Sequence, residues 1–162
     1  MSRVCYFASN KILAEKKNRF VKRYSIKGAL EKGIKIDLQL FDGIDRDQPD
    51  VILWAESEEA LDFPSIYISE PYSEAPKSDM KYYAEIEGYP EKDLPGIIEY
   101  IHEHMKKDKG GKTQFLELWY IWLGDDQDEI IEKTCSLKNL TEEYLRDIFT
   151  DDDTDYKVII TR

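Results

Sequence analysis

Stretches in which apolar side chains alternate with polar ones, or run together, predict most of the strands in this chain. In 115–123 both sets of alternate positions are apolar, since Leu116 and Leu118 fall on one face of a strand and Trp119 and Ile121 on the other. This pattern predicts a central strand that is covered on both faces. Further strands are predicted at 3–9, 51–56, 65–69, 81–89, 129–137 and 156–161.

Three further segments have weaker patterns. Residues 13–25 show no clear period and are expected to be irregular. Ser25 can cap a short helix that ends at Gly33. The stretch 34–41 alternates between apolar and polar residues, which predicts either a half-buried strand or an extended connector.

Apolar spacings of three and four residues predict the two main helices. The clearer one covers about 93–107, and Asp93 can cap its first turn. The second covers about 141–149, where Leu140 and Leu145 can bracket a cap at Thr141.

The order of these elements predicts an α+β fold. We expect one domain over 1–162, with a mixed or antiparallel twisted sheet of about six to seven strands and the two main helices packed mainly on one face. A strand–helix–strand unit spans 81–123, and a parallel, right-handed pairing of its two strands is possible.

Composition favours a folded protein in a reducing compartment. Hydrophobic residues make up 41% of the chain and aromatic residues 12%, which is too much for a disordered protein. The N-terminus lacks the apolar core of a signal peptide, and no apolar run is long enough to span a membrane. Cys5 and Cys135 are far apart in sequence and are expected to be buried, reduced thiols. These features predict a soluble, cytoplasmic protein.

The charge is strongly negative and unevenly distributed. The net charge is −11, but residues 1–40 hold ten bases and three acids, so the remainder carries −18. Such a surface repels nucleic acid and anionic lipid and attracts basic partners. The basic segment 15–23 could instead contact nucleic acid; the interpretation we prefer is that it neutralises acids of the same molecule or forms a solvated face. The role of residues 11–35 as a whole stays open.

A glutamate inside the central strand raises the question of catalysis. Glu117 should be partly buried, so it needs a base, hydrogen bonds or a proton. If neighbouring strands bring Glu85 and Glu56 beside it, the three carboxylates could support acid–base hydrolysis or bind a small ligand among aromatic side chains. The alternative is a structural ion pair, for which the candidate cations are Lys81, Lys157 and Arg162.

No motif predicts a metal or a cofactor. His102 and His104 are two residues apart on a helix and do not share a face. The acidic run 151–155 lacks the glycine and the terminal glutamate of a calcium loop. The segment KGGK at 109–112 lacks the strand and helix that frame a phosphate-binding loop.

The balance favours a non-enzymatic protein-interaction module of a bacterial type that engages a basic partner. An immunity- or antitoxin-like role is the concrete version, by electrostatic analogy alone. The expected face lies near the Trp122 end of the central strand. Its predicted partner-binding residues are Asp125, Asp126, Asp128, Asp151, Asp152, Asp153 and Tyr156.

Overall fold

A computed structural model of the chain confirms the α+β prediction. It describes residues 2–72, 78–106, 115–124 and 129–162. The chain contacts group into two compact units, Met1–Lys17 with Phe63–Arg162 and, separately, Asn18–Asp62.

The first unit is built on a six-stranded sheet. Its strands are β1 (Ser2–Ser9), β4 (Ser65–Ser69), β5 (Tyr82–Glu87), β6 (Leu116–Leu123), β7 (Ile131–Ser136) and β8 (Tyr156–Thr161). They lie in the order β4-β5-β1-β6-β8-β7, and the two central strands, β1 and β6, pair antiparallel over their full length.

The strand order corrects the parallel pairing that the sequence left possible within 81–123. Strands β5 and β6 are not neighbours, because β1 lies between them and is antiparallel to both. In the described part of the chain, the one parallel pair is β7 with β8. Its crossover is the helix α3 (Glu142–Phe149), as parallel strands require.

Two capped helices cover one face of this sheet. Asp93 accepts the backbone N–H of Gly96 at the start of α2 (Leu94–His104), and Thr141 accepts that of Tyr144 at the start of α3. Both predicted helices are therefore confirmed, α2 with a shorter C-terminal end than expected among the described residues. The core beneath them joins alternate residues of the strands to both helices, and includes Phe7, Leu116, Leu118, Val158, Ile97, Ile101, Leu145 and Ile148.

The opposite face of the sheet has its own apolar cluster. Trp119 and Ile121 of β6 pack there with Tyr6 and Ala8 of β1, and Met80 lies against them. The prediction that the central strand is covered on both faces is confirmed, since the first six residues of β6 are buried.

The second unit, Asn18–Asp62, combines a two-stranded antiparallel ribbon with a short helix. The ribbon pairs β2 (Val21–Tyr24) with β3 (Ile52–Ala55), so a strand lies within the segment expected to be irregular. Ser25 caps α1 (Ile26–Glu31), and Gly33 follows with φ of 75°, as predicted.

The prediction of a half-buried strand or extended connector at 34–41 is wrong for the second half of that segment. Leu38–Phe41 forms a 3₁₀ turn that Asp37 caps through the backbone N–H of Gln39. Ile34 and Ile36 pack on the small core of this unit, but Leu40 is 76% exposed. The extended conformation therefore ends at Asp37, because its side chain binds the backbone N–H of Gln39 and starts the turn.

Among the described residues, no helix has the length and apolar character needed to cross a membrane.

Candidate functional site

Glu117 is a buried carboxylate with three side-chain partners. Its Oε2 accepts hydrogen bonds from the Ser78 hydroxyl at 2.6 Å and from Trp119 Nε1 at 2.9 Å. Its Oε1 lies 3.4 Å from the ammonium of Lys157, one of the three cations that the sequence singled out. Both carboxylate oxygens of this buried side chain therefore have partners.

Lys157 links this buried carboxylate to an exposed one. Its ammonium also contacts Glu132 of β7 at 3.0 Å and lies over the Trp119 ring at 5.2 Å. Burial acts to lower the pKa of Lys157, but the hydrogen bond to Glu132 and the charge of Glu117 raise it above its ordinary value. The lysine consequently stays charged and holds both glutamates.

Glu85 shares a sheet face with Glu117 but not its surroundings. Glu85 pairs with Tyr6 across β1, whereas Glu117 pairs with Ala8 on the other side of that strand. Two strand spacings thus separate their Cα atoms by about 10 Å or more. Burial and a hydrogen bond from Tyr72 to Glu85 raise the pKa of Tyr72. Each carboxylate thus has its own protein partners.

Glu56 belongs to the second unit, where it follows β3 and is exposed. Its nearest sequence neighbours continue into the 3₁₀ segment Glu58–Asp62.

The two histidines lie on opposite faces of α2, as their spacing predicted. His102 is exposed, whereas His104 is buried and its Nε2 lies 2.7 Å from the hydroxyl of Ser9. Cys5 and Cys135 are free and buried, and burial raises the pKa of each thiol. No cluster of three or more side chains suited to a metal ion occurs in the described residues.

The acidic turn, defined here as residues 151–155, is held by two side chains from the sheet. Arg3 donates to the carbonyl of Asp152 at 2.8 Å and also to that of Thr154. Trp122 donates its indole N–H to the carbonyl of Asp152 at 3.0 Å, and its backbone N–H to the Asp155 carboxylate at 2.9 Å. The turn is therefore fixed to the ends of β1 and β6.

The carboxylates of the acidic turn divide into two kinds. Asp155 is buried at 3% exposure, and Asp151 accepts the Tyr156 hydroxyl at 2.5 Å, which lowers the pKa of Asp151. Asp152 and Asp153 are exposed, and in the part of the chain that the structure describes their carboxylates have no hydrogen-bond or ion-pair partner. Asp151, Asp155 and Tyr156 thus organise a turn that presents the other two carboxylates to solvent.

A cleft of about 410 Å³ lies beside the acidic turn, on the helix-covered face of the sheet. Cys5, Ile86 and Tyr120, which are neighbours across three strands, form its floor. One wall is the segment 88–91 before α2, and the other consists of Phe149 at the end of α3 with Thr150 and Asp152. Arg3 and Trp122 also line it.

Several side-chain donors in the cleft lining bond backbone carbonyls. The Tyr120 hydroxyl donates to the carbonyl of Phe149 at 2.8 Å, and that of Thr150 donates to the carbonyl of Arg146 at 2.8 Å. The Arg3 guanidinium stacks 4.0 Å from the Tyr120 ring centroid while it bonds the acidic turn. Arg3 Nε is buried and has no hydrogen-bond partner among the described residues.

The cleft retains free acceptors. Glu91 is half-buried in the wall and Asp152 is exposed at the rim, and neither carboxylate has a hydrogen-bond or ion-pair partner among the described residues. Burial raises the pKa of Tyr120 to about 12, with Arg3 opposing the shift and Glu91 and Asp152 adding to it. The lining therefore carries two carboxylates against one guanidinium that is already bound.

The predicted partner-binding residues are only partly placed. Asp151, Asp152, Asp153 and Tyr156 come together at the acidic turn. Asp125, Asp126 and Asp128 lie outside the described residues. The predicted Trp122 end of the central strand does lie against this turn.

Sequence reasoning did not identify Arg3, Glu91 or the buried role of Asp155. Arg3 had one signal in the sequence. It is a base near the start of a largely apolar strand, and it falls on the same face as Cys5 and Phe7. Glu91 had none, because its place in the cleft depends on the packing of the segment before α2 on the sheet.

The charge of the two units also differs from the sequence-level division at residue 40. Residues 18–62 contain seven bases and ten acids, a balance of −3, and the rest of the chain therefore carries −8. Both units are thus negative overall.

In the basic segment 15–23, Lys16 donates a hydrogen bond to the carbonyl of Gly96 at 2.7 Å and lies 3.7 Å from Asp93.

Comparisons of the chain with models of protein families, with curated proteins and with solved structures give no match.

Proposed function

We propose that this chain is a non-catalytic protein-interaction module that engages a basic protein partner through the acidic turn 151–155. The observation that carries this proposal is the way the turn is built: the sheet holds its backbone, and the carboxylates of Asp152 and Asp153 point to solvent without partners among the described residues. A fixed anionic surface of this kind costs little ordering free energy on binding.

Electrostatics supports the same role. The unit that carries the acidic turn has a balance of −8, so its field attracts cations and speeds their encounter. The contacts of Glu117 with Trp119 and Lys157 support a structural role for the carboxylate that first suggested catalysis. An immunity- or antitoxin-like function, in which acids cover a cationic site on another protein, is one form that this role takes by analogy.

The test measures association with a lysine-rich peptide at several salt concentrations. The variant is Asp152→Asn with Asp153→Asn, and the matched control is Asp42→Asn with Glu58→Gln, which removes the same charge from exposed positions of the second unit. We expect the turn variant to associate about threefold or more slowly at low salt, with a flatter salt dependence.

The control variant should retain most of the wild-type rate. Equal slowing by the two variants would show that net charge alone attracts the peptide and would remove the acidic turn as the binding face.

A further inference from the structure

We infer that the cleft beside the acidic turn receives one basic side chain, a lysine or an arginine, of the protein partner. This inference rests on the proposed function and specifies the contact that anchors it. The cleft, with its volume of about 410 Å³, has room for such a side chain.

Hydrogen bonding gives the first argument. Donors of Arg3, Tyr120, Trp122 and Thr150 bond backbone carbonyls, whereas the carboxylate of Glu91 in the wall is unpartnered among the described residues. A ligand that supplies donors therefore complements the free carboxylate of this lining.

Electrostatics gives the second argument. Glu91 and Asp152 together outweigh the charge of Arg3, and the C-terminal end of α3, whose partial charge is negative, forms the wall at Phe149 and Thr150. The lining thus favours a positive ligand head.

The walls give the third argument. Tyr89 is 55% exposed and lines the same wall as Glu91, so its ring can cover the alkyl part of a lysine or stack on a guanidinium. The wall thus offers a carboxylate for the charged head and an aromatic ring for the rest of a long basic side chain.

The experiment uses amide-capped arginine, lysine and glutamate as probes, and follows the full-length protein by ¹H–¹⁵N NMR. The Trp122 indole N–H reports on the cleft, because it bonds the carbonyl of Asp152 in the rim. We expect the arginine and lysine probes, but not the glutamate probe, to shift this resonance. Glu91→Gln should weaken that binding about fivefold, whereas Glu99→Gln, an exposed glutamate of α2, should leave it unchanged.

Two results would overturn the inference: a response to the glutamate probe alone or to no probe, and a basic-probe response that Glu91→Gln does not weaken.

Peptide association separates failure of this inference from failure of the proposed function. Glu91→Gln alters only the cleft, and Asp153→Asn alters only the acidic turn. If only Asp153→Asn slows association, the cleft inference fails and the proposed function stands; if only Glu91→Gln does, the turn is not the docking face.

Discussion

Replacing Glu117 by glutamine tests whether this buried carboxylate stabilises the fold. The substitution keeps the shape of the side chain and leaves an oxygen that can accept from Ser78 and Trp119. It removes the negative charge that faces Lys157 at 3.4 Å. We expect Glu117→Gln to lower the free energy of unfolding.

The size of the expected loss in the free energy of unfolding follows from the contacts of Glu117. A hydrogen bond to a charged group contributes about 1.5–3 kcal/mol and a neutral one about 0.5–1.5 kcal/mol, so the two bonds from Ser78 and Trp119 together lose roughly 2 kcal/mol. The lost ion pair with Lys157 adds to this, because Glu117 is only 6% exposed and is weakly screened.

Glu132→Gln is the matched control. Glu132 contacts the same lysine at 3.0 Å, but its side chain is 57% exposed, and exposed ion pairs contribute about 0–1 kcal/mol. The two variants therefore make the same chemical change around Lys157 and differ in burial and in the hydrogen bonds from Ser78 and Trp119.

Urea unfolding measures the difference in stability between the Glu117→Gln and Glu132→Gln variants. A Trp54→Phe background leaves Trp119 and Trp122 as the fluorescent tryptophans, and both belong to the unit that contains Glu117. With a slope of about 2 kcal/mol per M urea, a loss of about 2 kcal/mol moves the midpoint by roughly 1 M. The Glu132→Gln midpoint should move by about 0.3 M or less.

A Glu117→Gln midpoint no lower than that of Glu132→Gln would refute the reasoning. An increase in stability would be more informative, because residues kept at a cost to the fold are typical of functional sites. In that case acid–base chemistry at Glu117 would again be the better hypothesis.

Two further predictions concern backbone strain and pH. Gly33 has φ of 75° with no atom close to its missing Cβ, so Gly33→Ala should destabilise the second unit by about 1 kcal/mol through strain alone. Urea unfolding followed by ¹H–¹⁵N NMR of the amides in Asn18–Asp62 measures this loss, and an unchanged midpoint would contradict it. Burial raises the pKa of Tyr100 and of Tyr120 to about 12 from an ordinary value of 10.0. Since the folded state disfavours the phenolate, the stability from these groups is fully present below pH 10 and is lost as the pH rises to about 12. Urea midpoints across that range should fall, and Tyr120→Phe should reduce the fall; a constant midpoint would be inconsistent with it.

The sequence predicted the elements whose signals are local. The helix caps at Asp93 and Thr141 each depend on residues within a few positions, and both are confirmed. The two faces of β6 also follow from its own alternation, since Trp119 and Leu118 enter different cores. Even the cation facing Glu117 could be narrowed to three residues, because strands place few bases at suitable positions.

The cleft could not be predicted, because it depends on strand order. Arg3 meets Trp122 because β1 lies between β5 and β6 and pairs antiparallel with β6, whereas the sequence left direct pairing of β5 with β6 possible. Glu91 then reaches the same place through the packing of the segment before α2. The inward position of Arg3 is a local signal, but it does not specify Trp122 as the partner, and Glu91 has no local signal.

Strand β1 contributes side chains both to the core of this unit and to the acidic turn that we propose as its binding face. The inward positions of β1 carry Phe7 into the core beneath the helices and, four residues earlier, Arg3 to the end of the sheet. There the guanidinium stacks on Tyr120 and fixes the turn carbonyl of Asp152. A lysine at position 3 would keep the charge but lose the planar stacking and the two-carbonyl contact. The position of the exposed carboxylates, and so the face that we propose for a basic partner, therefore depends on the register of one central strand.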